Sequence, residues 1–289
     1  MKKIIARMRG GLGNQLFIIA FAFYVRRLNY TDCPILVDVR EYNRYKVRNF
    51  ELLSLIKEDS ISFFTNHFST FYDVTRELFH IAQKLNRKDT KSLSWLSKYG
   101  LYYGRRSAIG AKQALTTTSY IYGYFQDAEM VFKVRDELIT HIISPVKLKS
   151  FTSNNRVAVS IRCGDDYIKQ GWPICTKEYY QKGLNYILEK KRFGKDVQIL
   201  VFSDVVEKAK KIINDNRAVF VCDLSPSEQL TIMAQCNDFV IANSSFSWWG
   251  ALLGLKKDSI VVMPEFWYST REKTINTRLY YEKATIICD

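Results

Sequence analysis

Small hydroxyl and amide side chains cluster at Asn243-Ser244-Ser245-Phe246-Ser247, between an apolar run and a pair of tryptophans. Phe239 to Ala242 reads as a buried strand, and Trp248-Trp249-Gly250-Ala251-Leu252-Leu253 as a buried helix. A strand, a polar turn and a helix N-terminus together make an anion site. Free backbone N–H groups and the positive end of the helix dipole face one point there. The serines add hydroxyl donors, and the chemistry this suits is holding a phosphate. The competing reading is an ordinary strand–helix connection whose serines cap the helix.

Two further polar clusters follow apolar strand-like runs. Ser160-Ile161-Arg162-Cys163-Gly164-Asp165-Asp166-Tyr167 follows Val157 to Ile161, and Ser203-Asp204 follows Val197 to Phe202. An arginine fork binds phosphate oxygens bidentately. An aspartate can accept two hydrogen bonds from a guanine edge. Against these stand a surface salt bridge from Arg162 to Asp165 or Asp166, and a plain helix cap at Asp204. Near the start, Gly10-Gly11-Leu12-Gly13-Asn14-Gln15 links a strand over Lys2–Met8 to an apolar helix over Leu16–Leu28. Glycines let backbone approach a ligand closely. Leu16 stands where the third glycine of a dinucleotide fingerprint would fall, so that fingerprint is absent.

The elements that must position these residues are clearest in the second half. Helices are expected over Thr176–Lys191, after Asp204, and after Ser225-Pro226-Ser227-Glu228, a capping box with proline at the first helical position. Strands are expected over Ala218–Cys222 and Ser259–Met263. Strand and helix alternate, which is the pattern of a parallel sheet with helices on both faces. Ligands of such sheets bind beyond the carboxyl ends of the strands, where the polar clusters fall. In the first half a strand is expected over Pro34–Val39 and a helix over Val131–Ile143. Residues 57–120 show no clear period and receive no detailed assignment. Lys147 to Asn155, polar and lysine-rich, reads as a linker.

With 289 residues, 47% of them hydrophobic, the chain can bury one large or two medium cores. No uninterrupted apolar run reaches the ~18 residues of a membrane span. Arg7 and Arg9 interrupt the apolar start, so a secretion signal is not expected. Cys33, Cys163, Cys175, Cys222, Cys236 and Cys288 show no paired metal-ligand spacing, which fits reduced thiols in a cytosolic protein. His67, His80 and His141 share no ligand spacing, so nothing supports a zinc site or a histidine triad. The net charge of +14 would suit nucleic acid, an anionic membrane or a phosphorylated ligand. No basic tail or nucleic-acid motif is visible, so nucleic acid is not expected.

Four stretches resemble one family, the GDP-fucose-dependent alpha-1,2-fucosyltransferases of glycosyltransferase family 11. Gly10 to Phe17 is similar to its N-terminal motif, and Gly123-Tyr124-Phe125-Gln126 to an inner one. Phe202-Ser203-Asp204 resembles its FSDD, with Val205 for the second aspartate. Asn243 to Ala251 resembles its NSTFSWWGA. The His-x-Arg-Arg-Gly-Asp-Tyr motif matches less well: Ser160 replaces its histidine, Cys163 its second arginine and Asp166 its tyrosine, while Arg162, Gly164 and Asp165 remain.

The resemblance implies an α/β, GT-B-like architecture of two Rossmann-type domains with parallel sheets. Residues 1–146 would serve the acceptor and 147–289 the GDP-sugar. It implies inverting transfer of L-fucose from GDP-beta-L-fucose to a galactose 2-hydroxyl, with no metal. Arg162 would hold the diphosphate. Asp165 and Asp166 are the candidate bases, and Asn14 would orient acceptor or donor. Gly11, Gly13, Ser160, Ser203, Asp204, Asn243, Ser244, Ser245, Phe246 and Ser247 would line the donor site. A galactose-terminated, lipid-linked glycan made at the cytoplasmic membrane face would suit the positive charge and a peripheral membrane contact. Two alternatives stay open: a transferase for another sugar nucleotide, and a weakly active or non-catalytic relative.

Overall fold

The computed structural model describes residues 2–29, 32–43, 48–56, 61–64, 70–85, 91–104, 111–142, 153–169, 171–194, 196–270, 272–281 and 284–288. The chain divides into two compact units, Met1–Ile143 and Ser144–Asp289. The expected division between 146 and 147 falls outside the described residues.

The first unit runs β1 (Lys3–Arg7), α1 (Leu12–Leu28), β2 (Ile35–Asp38), β3 (Ile61–Phe64), α2 (Thr70–Leu85), β4 (Leu101–Gly104), β5 (Thr118–Gly123) and α3 (Ala128–His141). Its parallel sheet has the order β3-β2-β1-β5-β4. Helix α1 is buried on nearly every side, which its all-round apolar sequence requires. It begins at Leu12 with Gly11 as N-cap, four residues before the expected start. Gly13, Asn14 and Gln15 therefore form its first turn and are not loop residues. Their polar character hid the helix start, but a first turn leaves its N–H groups free and tolerates it. Helix α3 starts at Ala128, earlier than expected, because the Asp127 carboxylate accepts from the Met130 amide at 3.1 Å. The unassigned stretch contains β3, α2, β4 and a 3-10 segment over Lys91–Tyr99.

Two motif glycines have steric reasons. Gly10 has φ +75°, and a Cβ there would meet Asn14 Nδ2 at 2.7 Å. A Cβ on Gly123 would lie 1.7 Å from the Gly104 carbonyl oxygen of the neighbouring strand.

The second unit runs β6 (Arg156–Ile161), α4 (Asp165–Lys169), α5 (Lys177–Lys190), β7 (Gln198–Ser203), α6 (Val206–Ile212), β8 (Ala218–Val221), α7 (Pro226–Met233), β9 (Asp238–Val240), α8 (Ser245–Gly254), β10 (Val261–Pro264), β11 (Phe266–Ser269), β12 (Glu272–Lys273) and β13 (Thr285–Ile287). Both halves of the expected capping box are made: the Ser225 hydroxyl accepts from the Glu228 amide, and the Glu228 carboxylate from the Ser225 amide at 2.9 Å. The six-stranded sheet is parallel throughout, in the order β13-β10-β9-β6-β7-β8. Counted from β6, this is the doubly wound order 3-2-1-4-5-6, whose direction reverses between β6 and β9. Val157, Val159 and Ile161 point into the core beneath α5, with Tyr179, Tyr180, Leu184 and Ile187. Strand alternation sends Ser160 and Arg162 to the opposite face.

Candidate active site

Three adjacent strands of the second sheet, β9, β6 and β7, bring three polar clusters to one edge. The loop after β6 carries Arg162 to Asp165, the end of β7 carries Ser203 and Asp204, and the turn after β9 carries Asn243 to Ser247. All three clusters were legible in the sequence, and the order of strands makes them neighbours.

The Arg162 guanidinium meets Asp204 and Tyr167. Nη1 donates to Asp204 Oδ2 at 2.5 Å, and the guanidinium carbon lies 5.0 Å from the centre of the Tyr167 ring. Asp204 also accepts from the Cys163 amide at 2.9 Å and the Gly164 amide at 2.8 Å. One carboxylate thus ties the β6 loop to the end of β7. It does not cap α6: the N-cap is Val205, and the turn is closed by Ser203, whose hydroxyl accepts from the Val205 amide at 3.1 Å. The competing reading, a surface pair from Arg162 to Asp165 or Asp166, is not met at Asp165, and the Asp166 side chain lies outside the described residues. Asp165 pairs instead with Lys208 at 2.9 Å. The hydrogen bond and charge of Lys208 hold the Asp165 carboxyl below the usual carboxylate range.

Cys163 faces the other way. Its side chain continues the inward series of Val157, Val159 and Ile161 and is buried with Tyr180 and Ala209. Burial pushes its thiol up. The Lys208 ammonium reaches the Cys163 carbonyl at 3.2 Å, so a cation borders this loop from α6.

The turn after β9 combines structure with an open helix end. Ser244 is the N-cap of α8, accepting from the Phe246 amide at 3.3 Å. Ser247, fully buried, donates to the Ala242 and Ser244 carbonyls, both at 3.1 Å. Asn243 is also buried. Its amide donates to the Pro173 carbonyl at 2.8 Å and the Trp267 carbonyl at 2.9 Å. Asn243 and Ser247 therefore shape the turn with their side chains. Ser244 caps, as the competing reading had it. The amides of Ser245 and Ser247 lie in the first turn of α8, where a helix offers them no acceptor of its own. Tyr167, beneath Arg162, donates to the Asn243 carbonyl and so links the arginine loop to this turn. Ser160 is buried in β6, paired with Phe202, and its carbonyl accepts from Ala242.

In the first unit the carboxyl ends of β1, β2 and β5 carry a charged network that the sequence reading missed. Arg7 pairs with the fully buried Asp38 at 2.9 Å, and Arg40 pairs with Asp38 at 2.8 Å and Asp73 at 3.3 Å. Arg9 donates to the Tyr122 hydroxyl at 2.8 Å and lies over the rings of Tyr122 and Tyr124. The Tyr122 hydroxyl also meets His80 Nε2 at 2.8 Å. The signal was present, since Arg7 and Arg9 end the first strand. Asn14 Oδ1 accepts from Gln126 at 2.8 Å, so the first and inner motifs touch through their side chains. Gly11 caps α1, and Gly13 lies in its first turn, buried.

Among the described residues no group of three or more metal-ligating side chains occurs, all six cysteines are free thiols, and no helix is long and apolar enough to cross a membrane.

Comparison with known proteins decides the family. The family model described as Glycosyl transferase family 11 matches residues 3–283. The chain belongs to this family. Two curated relatives from Escherichia coli are each 27% identical to this family 11 chain: the O-antigen biosynthesis glycosyltransferase WbnK and an alpha-1,2-colitosyltransferase. The first match covers 92% of the chain and 95% of the relative, the second 94% of each. Among solved structures, the fucosyltransferase NodZ from Bradyrhizobium is similar with a TM-score of 0.54 at 13% identity, over 87% of this chain and 93% of that one. A NodZ structure co-crystallized with GDP gives 0.53. These likenesses show the GT-B-like fold. The family 11 chain is a glycosyltransferase.

Proposed function

We propose that the chain transfers L-fucose from GDP-beta-L-fucose, with inversion, to the 2-hydroxyl of a terminal galactose. The observation that carries this reading is that Arg162 lies over Tyr167, which donates to the Asn243 carbonyl just before α8, at the strand-order reversal between β6 and β9. A diphosphate placed there gains a bidentate cation and helix-end amides together. Departure of GDP leaves an oxocarbenium-like sugar, so stabilising the leaving charge does most of the work. Arg162 and α8 supply that charge, and the reading needs no metal. Asp165, held acidic by Lys208, is a weak base, which leaves it a positioning role at the start of α4. The acceptor falls to the first unit, where Arg9 follows β1, Tyr122 lies near the end of β5, Asn14 in the first turn of α1 and His80 on α2.

Incubating the protein with GDP-fucose and a galactoside, and following GDP release and product mass, tests the proposal. Linkage analysis of the product then reports the hydroxyl used. A second reading keeps the GDP site and changes the sugar. It is favoured by the colitosyltransferase relative, which stands at the same identity as WbnK. Turnover of another GDP-deoxysugar with GDP-fucose left intact would select it.

A further inference from the structure

Helix α2 carries more apolar surface than its sheet uses. At 3.6 residues per turn, Phe71, Val74, Leu78 and Ile81 fall on one stripe, and Tyr72, Thr75 and Phe79 on the adjoining one. Together they form an arc of about half the circumference, wider than the roughly 100° that a core-facing helix needs. The inner flank is used: Tyr72 and Phe79 belong to the cluster of Ile5, Leu101, Tyr103, Tyr120 and Tyr122. The outer flank is not. Phe71, Val74, Leu78 and Ile81 are 59%, 51%, 59% and 54% exposed. Glu77 beside them has its carboxylate paired with Arg76 at 2.7 Å.

The 3-10 segment Lys91–Tyr99 repeats the arrangement on the same face of the sheet. Leu96 packs on that one cluster, while Trp95 and Tyr99 are 54% and 60% exposed and meet edge to face. Leu115, 83% exposed, is tied beside them by its amide, which donates to the Lys98 carbonyl at 2.8 Å. In the sequence, residues 84–112, a tenth of the chain, contain eight lysines and arginines and a single aspartate, half of the net charge of +14. Of these cations, Lys98 lies on the 3-10 segment and Lys112 is tied to it, its amide donating to Ser97 Oγ at 3.1 Å.

An exposed apolar stripe, exposed aromatic rings and a dense positive segment are the components of an interfacial anchor on acidic lipid. A second copy of the chain would bring like charge against like charge. We propose that the outer stripe of α2, with Trp95, Tyr99 and Leu115, docks on an anionic bilayer. The inference leans on the proposed function only for its purpose, which is to meet an acceptor carried on lipid.

Flotation with vesicles of phosphatidylcholine alone, and of phosphatidylcholine with a third phosphatidylglycerol, tests it. The protein should float with the anionic vesicles and much less with the neutral ones, and salt should release it. Replacing Phe71 and Leu78 together by serine should lower partitioning roughly tenfold or more, while GDP release with a soluble galactoside stays as in the parent. Trp95→Phe should abolish a vesicle-induced blue shift in fluorescence. A parent protein that ignores anionic vesicles, or a double variant that binds them equally well, overturns the proposal. So does a dimer in sedimentation that the double substitution dissociates, since a second copy would then cover the stripe. Vesicle binding without transfer to any galactoside would refute the proposed function and leave this surface standing.

Discussion

Arg162 lays the flat face of its guanidinium over Tyr167 and donates from Nη1 to Asp204. A lysine keeps the charge and loses both geometries. Arg162→Lys should therefore lower kcat/KM by roughly 100-fold, the scale for removing one preorganised charge donor. Rates within a few-fold of the parent would remove Arg162 from the diphosphate site. If Arg162 and α8 supply the cationic field, transfer should also persist in EDTA. Complete loss there, restored by magnesium or manganese, would refute metal independence. Asp204 is the more instructive residue. Its oxygens are engaged by two loop amides and Arg162, so Asp204→Ala orphans groups at about 1–3 kcal/mol each. A lower Tm is expected even without ligand. If Asp204 also reads guanine, the variant loses its preference for GDP over ADP in calorimetry. Proportionate loss of both nucleotides would make it a clamp alone. Cys163 stands where the family motif has its second arginine, and its side chain points inward, so Cys163→Arg would force a guanidinium among Tyr180, Ile161 and Ala209. Burial of an unpaired charge costs several kcal/mol, so the variant should unfold earlier and gain no activity. A tenfold gain would show that the natural site is impaired.

At the scale of elements, α8, whose first turn is proposed to hold the diphosphate, is itself held by close packing on α7. A Cβ added at Gly250 would lie 2.2 Å from Met233 Sδ, so Gly250→Ala must push the helices apart or displace the methionine. Overpacking of this kind costs about 1–3 kcal/mol. The expected outcome is a lower Tm together with weaker GDP binding, because the first turn of α8 moves with the helix. Weaker stability with unchanged GDP affinity would separate α8 from the donor site. The second unit was the legible part of the fold. Its strands are short apolar runs bounded by caps and turns, so Ser225-Pro226 and Asn243-Ser244 announced their helices. Residues 57–120 were not legible for a physical reason that α2 makes plain. Its apolar positions serve two flanks, one facing the sheet and one facing solvent, so they do not mark a single buried face. The start of α1 was misplaced because Gly13, Asn14 and Gln15 look like loop residues. In fact Gln15 is buried and bridges the Gly10 and Asn49 carbonyls at 3.0 and 2.8 Å.

At the scale of the whole molecule, motif spacing conveyed which residues matter more readily than how they act. Gly123, Asn243 and Ser247 lie in motifs and shape backbone, whereas Arg9, Tyr122 and His80 form a hydrogen-bonded cluster that no motif reading singled out. That network also gives the protein a pH dependence whose sign can be worked out. His80 faces Tyr122, Arg9, Arg76, Glu77 and Glu41, and burial, then the Arg9 charge, lower its pKa. The unfolded histidine takes up a proton near 6.5 while the folded one resists, so folding loses stability as pH falls through that value. For Asp38, burial acts to raise the carboxyl, but the hydrogen bonds and charges of Arg40 and Arg7 outweigh it and the net shift is downward. Its contribution is present above about pH 4 and is lost as pH falls through the lower, folded value. Asp238 runs the other way: burial raises it, so its folded form keeps a proton longer and its contribution shrinks as pH rises above about 4. Between pH 7 and 5.5 His80 lowers stability as pH falls, and Asp38, whose carboxyl is shifted downward, acts below that window. Tm should fall across it, and His80→Gln should flatten the fall, because glutamine takes up no proton in either state. An unchanged slope in that variant would place the titrating group elsewhere.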